Sequence, residues 1–355
     1  MSNWKECLLG DILKFQRGHD LPKTQMAVGE YPVVGSNGII GYHNEYTTEA
    51  PSITIGRSGN TGNPFIVYGK SWSHNTTLYI KEFKGSDPIF VYYLLKILDL
   101  GSFAGGSAVP TLNRNHIHTL DISVPPIEEQ IRIGQTLRAL DDKIEWNNAI
   151  NHHLEQMAQA IFKSWFVDFE PWGGVMPDDW KEGCLGDIAI ITSGKRPPFR
   201  RATAANEADI PLIGASSIMG FTNTVLYDEK ILITGRVGTH GIIQRYSRPC
   251  WVSDNTLVIK SNYYEFTYHQ LCRVDFHNMN RGSTQPLITQ TDLKNVPIII
   301  PDEATLLDFE EFVGSLMGQC ENNIRESECL AETRDTLLPR LMSGELSVAN
   351  ICDAK

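Results

Sequence analysis

Three glycines stand three residues apart around an arginine in SITIGRSGNTG (52–62): Gly56, Gly59 and Gly62, with Arg57 among them. Glycines so spaced let a backbone turn tightly or come close to a phosphate, as in loops that cradle a nucleotide. The stretch lacks the Gly-Lys-Ser/Thr ending with which such loops hold phosphate and metal. It also occurs twice, again as ILITGRVGTHG (231–241) with all three glycines and the arginine in register, and a one-site enzyme needs only one cofactor loop. Three other stretches invite a catalytic reading. Arg196-Pro197-Pro198-Phe199 has the outline of an amine-methylation motif, in which an Asn or Asp before Pro-Pro-aromatic accepts from the amine being methylated. Arginine has donors only and cannot accept. The segment reads instead as a rigid loop leaving a strand, or as one that holds Arg196, Arg200 and Arg201 near phosphates. PDDWK (177–181) offers two acids and a lysine, but no strand with a second acid and lysine follows, so it reads as a linker turn. His152 and His153 are adjacent on a helix and do not share a face. No catalytic residue and no metal ligand is expected in this chain.

The elements that carry these loops are duplicated. Trp4-Lys5-Glu6 recurs as Trp180-Lys181-Glu182, and Leu9-Gly10-Asp11-Ile12 as Leu185-Gly186-Asp187-Ile188, a shift of 176. YPVVGSNGIIG (31–41) answers IPLIGASSIMG (210–220) with a shift of 179, as Trp72, Thr77 and Leu78 answer Trp251, Thr256 and Leu257. The shift returns to 176 for Phe90, Tyr92 and Leu95 against Phe266, Tyr268 and Leu271. A fixed long period marks repeat architecture. Each copy opens with a part rich in Gly, Pro and Asn, in which SITI, TLYI and DISV, then ILIT, TLVI and VPIII, read as short strands between turns. Phe90 to Leu98 and its counterpart from Phe266 read as helices. From Glu128 to Phe166 there is no proline and no glycine but Gly134. Leu137, Leu140, Ile144, Leu154, Ala158, Ile161 and Trp165 fall there on a heptad stripe, matched by Val313, Leu316, Cys320, Leu330, Leu337 and Leu341. Asn147 and Asn151 interrupt the first stripe, and Asn323 and Ser327 the second. Two such helices, each roughly 50–60 Å long, are expected to pack antiparallel on each other, with the buried polar residues fixing register; an ordinary amphipathic core helix is the alternative. The expected fold is α+β: two pseudo-repeated mixed α/β heads rich in short strands, joined by two long antiparallel coiled-coil helices. The expected boundaries are 1–126 and 171–301 for the heads, and 127–170 and 302–355 for the helical spacers. Heads at opposite ends of paired helices would form a two-headed ruler, and one added heptad would change the spacing between the heads but neither head.

The bulk properties fit this. Of the net charge of −11, the helical segments carry −12 and the heads +1, so the heads are free to meet nucleic acid and the acidic helices to meet water or protein. No apolar run approaches the ~18 residues of a membrane span, and MSNWKECLLGD lacks the pattern of a signal peptide. Seven scattered cysteines form no CxxC pair, which favours a reducing, cytoplasmic setting.

FKSWFVDFEPW (162–172) and LLPRLMSGEL (337–346) resemble the helical signatures of the specificity subunit of type I restriction–modification systems. RGHDLP (17–22), GKRPP (194–198) and the WKEGCLGDI opening of the second copy resemble its target-recognition domains. The resemblance covers nearly the whole chain, in the family's order. It implies two target-recognition domains, each reading half of a split DNA sequence, on an antiparallel helical spacer. It implies two methyltransferase subunits docked on that spacer, with Trp165, Phe166, Leu337 and Leu341 at the subunit interface, and motor-nuclease subunits that complete the restriction enzyme. S-adenosylmethionine, ATP and Mg would then belong to the partners, and no cofactor to this chain.

Base edges are read by Arg, Lys, Asn, Gln, Asp and Glu, and phosphates by Arg, Lys, hydroxyls and backbone amides. The candidates lie in polar loops at matching places. Arg57, Ser58, Asn60 and Thr61 face Arg236, Thr239 and His240; Ser73, His74 and Asn75 face Ser253, Asp254 and Asn255; Ser107, Asn113 and Arg114 face Arg281, Ser283 and Gln285. For each, capping of its own turn is the alternative. The glycines and Trp72/Trp251 agree between copies while the polar residues differ, as expected if the heads read different sequences. Arg57 and Arg236 could meet a phosphate or a guanine. Two other classes stay open: a stand-alone DNA-modifying enzyme, and a coiled-coil adaptor whose heads bind no DNA.

Overall fold

The computed structural model describes residues 4–105, 110–205, 207–237, 241–276, 278–279 and 287–348. The chain divides into two compact units, Met1–Asn148 with Ile324–Lys355, and Ala149–Asn323. In the first unit, β1 (Lys5–Leu8), α1 (Leu9–Ile12) and β2 (Lys14–Arg17) precede the hairpin β3 (Tyr31–Gly35) and β4 (Gly38–His43). Then come β5 (Ser52–Gly56), β6 (Pro64–Val67), β7 (Trp72–Ser73), β8 (Thr77–Glu82), α2 (Pro88–Ile97), α3 (Arg114–Ile117) and β9 (Asp121–Val124), and the long helix α4 (Ile127–Phe166) begins. The strands make three sheets, ordered β2-β8-β5-β6, β4-β3-β7 and β1-β9. β5, SITIG, is buried along its whole length, which explains its unbroken run of small and β-branched residues.

The second unit repeats the plan. Its strands are β10 (Lys181–Cys184), β11 (Ala189–Ser193), β12 (Ile210–Ile213), β13 (Ile218–Thr222), β14 (Ile231–Gly235), β15 (Gln244–Tyr246), β16 (Trp251–Val252), β17 (Thr256–Ser261) and β18 (Pro297–Ile300). The helices are α5 (Leu185–Ile188), α6 (Tyr264–Cys272), α7 (Gln290–Lys294) and the long α8 (Glu303–Met342). The sheets β11-β17-β14-β15, β13-β12-β16 and β10-β18 match the first unit strand for strand. The register matches too: Ile55 pairs with Leu78 as Thr234 pairs with Leu257. Val33 pairs with Trp72 in a parallel bridge as Leu212 does with Trp251.

α4 and α8 are 40 residues each, about 60 Å of helix. Within the first unit, Asp141 accepts from Arg334 Nη1 at 2.6 Å and Asn147 donates to Ser327 Oγ at 3.2 Å. Within the second, Asn151 Oδ1 accepts from Asn323 at 2.8 Å and Asn151 Nδ2 donates to the Cys320 carbonyl at 3.2 Å. Farther along, Phe162 packs on Phe309 with ring centroids 5.9 Å apart; in both units residue numbers fall along one helix as they rise along the other, so the segments are antiparallel. The four polar residues that interrupt the heptad stripes are thus each other's partners, as a register device requires.

Each head is fused to its helices by a shared core. Phe15, Ile53, Ile55, Leu78 and Tyr93 of the first head continue into Ile133 and Leu137 of α4 and Leu338, Leu341 and Met342 of α8. In the second, Phe162 and Phe166 of α4 pack with Trp180, Phe266 and Phe309. Of the expected interface residues, Leu341 is fully buried in the first core, and Phe166, 7% exposed, packs in the second core and lines an open pocket beside Arg273 and Ile298. Trp165 and Leu337 are half-buried and keep an accessible face.

Candidate nucleic-acid interface

The loop that follows β5 is closed by backbone, and its glycines are there to allow it. A Cβ on Gly56 would stand 1.7 Å from the Asn60 carbonyl oxygen, and one on Gly62 would stand 2.2 Å from the Gly101 nitrogen. Gly59 and Gly62 take φ of +84° and +82°, which favours glycine. The loop is then stitched to two others. Arg57 N donates to the Thr76 carbonyl at 2.8 Å, and Leu112 N donates to the Arg57 carbonyl at 2.8 Å. A bridge joins Ser58 to Thr111. A fourth segment joins through Gly18, where a Cβ would meet the His74 carbonyl oxygen at 2.1 Å, and through His19 N, which donates to the Ser73 carbonyl at 2.7 Å. Segments 17–20, 57–62, 73–77 and 111–114 therefore share one rim of the first head.

The same stitches recur in the second head. Arg236 N donates to the Asn255 carbonyl at 2.8 Å, Ile288 N to the Arg236 carbonyl at 3.0 Å, and Lys195 N to the Val252 carbonyl at 2.9 Å. A Cβ on Gly194 would stand 2.1 Å from the Ser253 carbonyl oxygen. The indoles of Trp72 and Trp251 donate to the carbonyls of His19 and Lys195 at 3.5 and 2.7 Å. These contacts correct one alignment. Thr77 and Thr256 donate their amides to the carbonyls of His74 and Ser253. His74 therefore answers Ser253, Asn75 answers Asp254, and Thr76 answers Asn255, one residue away from the pairing read in the sequence.

On the first rim an open groove of about 760 Å³ brings Asn75 and Arg114 together with Lys14, Gln16, Arg17, Gly18, His19 and Asp20. Asn75 donates to Asp20 at 2.5 Å, which orients its amide. Among the described residues, no ion pair with a carboxylate is formed by Lys14, Arg17, Arg57 or Arg114. The local field is accordingly positive. Burial, and then the charge of Arg17, lowers the pKa of Arg57. Burial, and then Lys84, Arg114 and Lys14, lowers that of His118. Lys14, Arg17 and Arg114 outnumber the one carboxylate of the groove, Asp20, which makes a site for an anion or for acceptor-bearing base edges.

Of the residues expected to read DNA, the structure joins Asn75 and Arg114 in the groove and sets Arg57 beside Arg17. Ser58 and Asn60 lie on the adjoining loop, where Asn60 is exposed and accepts from the Asn63 amide. His74 is turned into its own loop, with Nδ1 3.0 Å from Thr76 Oγ1. In the second head Arg236 holds the place of Arg57, and Asn255 holds that of Thr76. Thr239, His240, Arg281 and Gln285, with Ser107 and Ser283, lie outside the described residues. Arg17 and His19, both in RGHDLP, line the groove without being among the expected readers. Their signal was a position immediately beside a duplicated glycine, Gly18 and Gly194.

The other stretches take structural places. Arg200 donates to the Met219 carbonyl at 2.8 Å, pinning the Arg-Pro-Pro-Phe loop, while Lys195 and Arg196 remain exposed. Trp180 is buried and donates to Asp302 at 3.3 Å, so PDDWK leads into the second head. His152 and His153 are exposed on α4. No helix among the described residues is long and apolar enough to cross a membrane.

Comparison with known proteins agrees with this duplicated, reader-like arrangement. The chain is similar over 302 residues, at 28% identity, to the MjaIX type I restriction enzyme specificity subunit of Methanocaldococcus jannaschii, covering 74% of this chain and 70% of that one. It is similar at 24% identity to the HindI specificity subunit of Haemophilus influenzae, covering 67% and 71%. Its fold matches the crystal structure of a type I system S subunit from M. genitalium with a TM-score of 0.72 over 96% of each chain, at 19% identity. The family model for the type I restriction modification DNA specificity domain matches twice, at residues 1–156 and 177–305, one match per head. Two heads built on one scaffold, two long helices and two matches to that domain make this chain a member of the type I restriction–modification DNA specificity family, whose catalysis lies in partner subunits.

Proposed function

We propose that each head of this chain reads one half of a split, asymmetric double-stranded DNA target, and that the chain places two methyltransferase subunits on it. One observation carries the reading. The backbone stitches at the rim are the same in both heads, while the side chains they present differ: Arg17 and Arg114 in one head, Ser193 and Gln290 in the other. A duplicated scaffold with divergent tips suits recognition of two different sequences. The unpaired cations of the first rim supply the phosphate term that any duplex binder needs.

The helices supply the docking surface. In the second unit Ile161, Trp165 and Phe312 line an apolar groove of about 540 Å³ flanked by Asp308 and Glu311, chemistry that suits a basic, apolar segment of a methyltransferase. The methyltransferases bring S-adenosylmethionine and flip the adenine to be methylated; motor-nuclease subunits bring ATP and Mg. The complex works in the cytoplasm, and this chain's own part is to bind and orient DNA.

Methylation maps of cells with and without the gene test this. The expected result is loss of one set of methylated sites sharing a motif split by a gap of unspecified bases. A lost set with a continuous motif, or no lost set, overturns it.

A further inference from the structure

The rim positions held by Arg17 and Arg114 in the first head are held by Ser193 and Gln290 in the second. Arg17 pairs with Leu78 across β2 and β8 as Ser193 pairs with Leu257 across β11 and β17. Arg114 and Gln290 are the first residues of α3 and α7. The positions correspond in backbone and differ in chemistry. Two guanidiniums offer donors only. Arg17 and Arg114 share one groove with Asp20, whose carboxylate accepts from Asn75, and neither arginine is ion-paired with a carboxylate among the described residues. In the second head, Gln290 Nε2 donates to Ser193 Oγ at 2.9 Å. That bond leaves the amide oxygen as an acceptor and the hydroxyl hydrogen as a donor, side by side.

We infer that these two positions are specificity-determining: Arg17 and Arg114 select a guanine in the first half-site, and Ser193 with Gln290 select an adenine at the corresponding place in the second. Guanine shows two acceptors, N7 and O6, in the major groove, which a donor-only fork matches. Adenine shows an acceptor at N7 and a donor at N6, which a donor–acceptor pair matches. The inference rests on the DNA-reading role proposed above and adds which residues choose and what they choose.

The test expresses the full chain with its methyltransferase subunits and maps methylated sites. Arg17→Lys with Arg114→Lys keeps both charges, and so the phosphate attraction, but removes the bidentate fork. The expected result is a first half-site degenerate at one guanine, with discrimination there reduced roughly 5- to 150-fold and the second half-site unchanged. Ser193→Arg with Gln290→Arg, on the other head, should replace one adenine of the second half-site with guanine. An unchanged motif in the lysine variant, or uniform weakening at all sites, shows that these arginines only hold phosphate and overturns the inference. A wild-type chain on which no split motif depends overturns the DNA-reading role itself, and this inference with it.

Discussion

Gly134 on α4 and Glu310 on α8 occupy the same place in the two copies, and what faces them explains both. In the first unit Asp87 caps α2 by accepting from Phe90 N at 2.8 Å, and a Cβ at Gly134 would stand 3.0 Å from that carboxylate. In the second, the cap position is Tyr263, which makes no side-chain cap. Glu310 supplies the carboxylate from outside, accepting from Glu265 N at 3.0 Å and Phe266 N at 2.8 Å. Burial pushes the Glu310 carboxyl up to about 7 from an ordinary 4.5, against the pull of those two amides. The folded second unit therefore holds this proton where the unfolded chain has released it. Its stability falls as pH rises from about 4.5 to about 7 and levels off above. Glu310→Gln should remove that slope, as read by the pH dependence of the unfolding midpoint; an unchanged slope assigns the titration elsewhere. Glu310→Gly should uncap α6 at a cost of about 1 kcal/mol, and Tyr263→Asp in the same chain should restore the loss. At this scale the sequence showed the duplicated Gly-Arg loop plainly, because tight turns leave glycines behind. It hid the meeting of Arg17 with Arg114, since nothing local links residues so far apart; only the bridges around Thr76 and Thr111 bring them together.

Elements were the most legible level. SITI, TLYI, DISV, ILIT and TLVI lie wholly in strands, VPIII does so from Pro297, and the run from Phe90 lies in α2. Short strands with little patterning were not foreseen: the β3–β4 hairpin and the two-residue β7 and β16 depend on pairing across the sheet rather than on their own sequence. The heptad stripe predicted both the antiparallel pairing and its polar interruptions. Asn323 donates to Asn151, which is itself engaged with the Cys320 carbonyl. Asn323→Ala should therefore leave buried polar atoms unpaired and cost about 1–3 kcal/mol in denaturant unfolding. Replacing both Asn151 and Asn323 with leucine should recover most of that stability while weakening the register of the pair. A double-variant loss equal to the sum of the two single-variant losses would show that the two side chains are not coupled.

For the whole molecule, the repeat announced two heads and two helices in order, but not how they partition. Each compact unit takes a head together with one part of α4 and one part of α8. The reason is the shared cores: Leu338 and Leu341 belong with Phe15 and Ile55, and Phe162 and Phe166 with Phe266 and Phe309. Such long-range packing leaves no mark in local periodicity, and it draws the expected docking residues Phe166 and Leu341 into the two cores. Each head nevertheless carries its own three sheets and its own rim, so sequence choice should be separable head by head. The most direct measurement is a methylation map of cells in which residues 180–301 are exchanged for the matching segment of a relative with a different target. The account predicts a motif changed in one half-site alone, with the other half-site kept base for base. Change in both half-sites, or a motif no longer split, would contradict it.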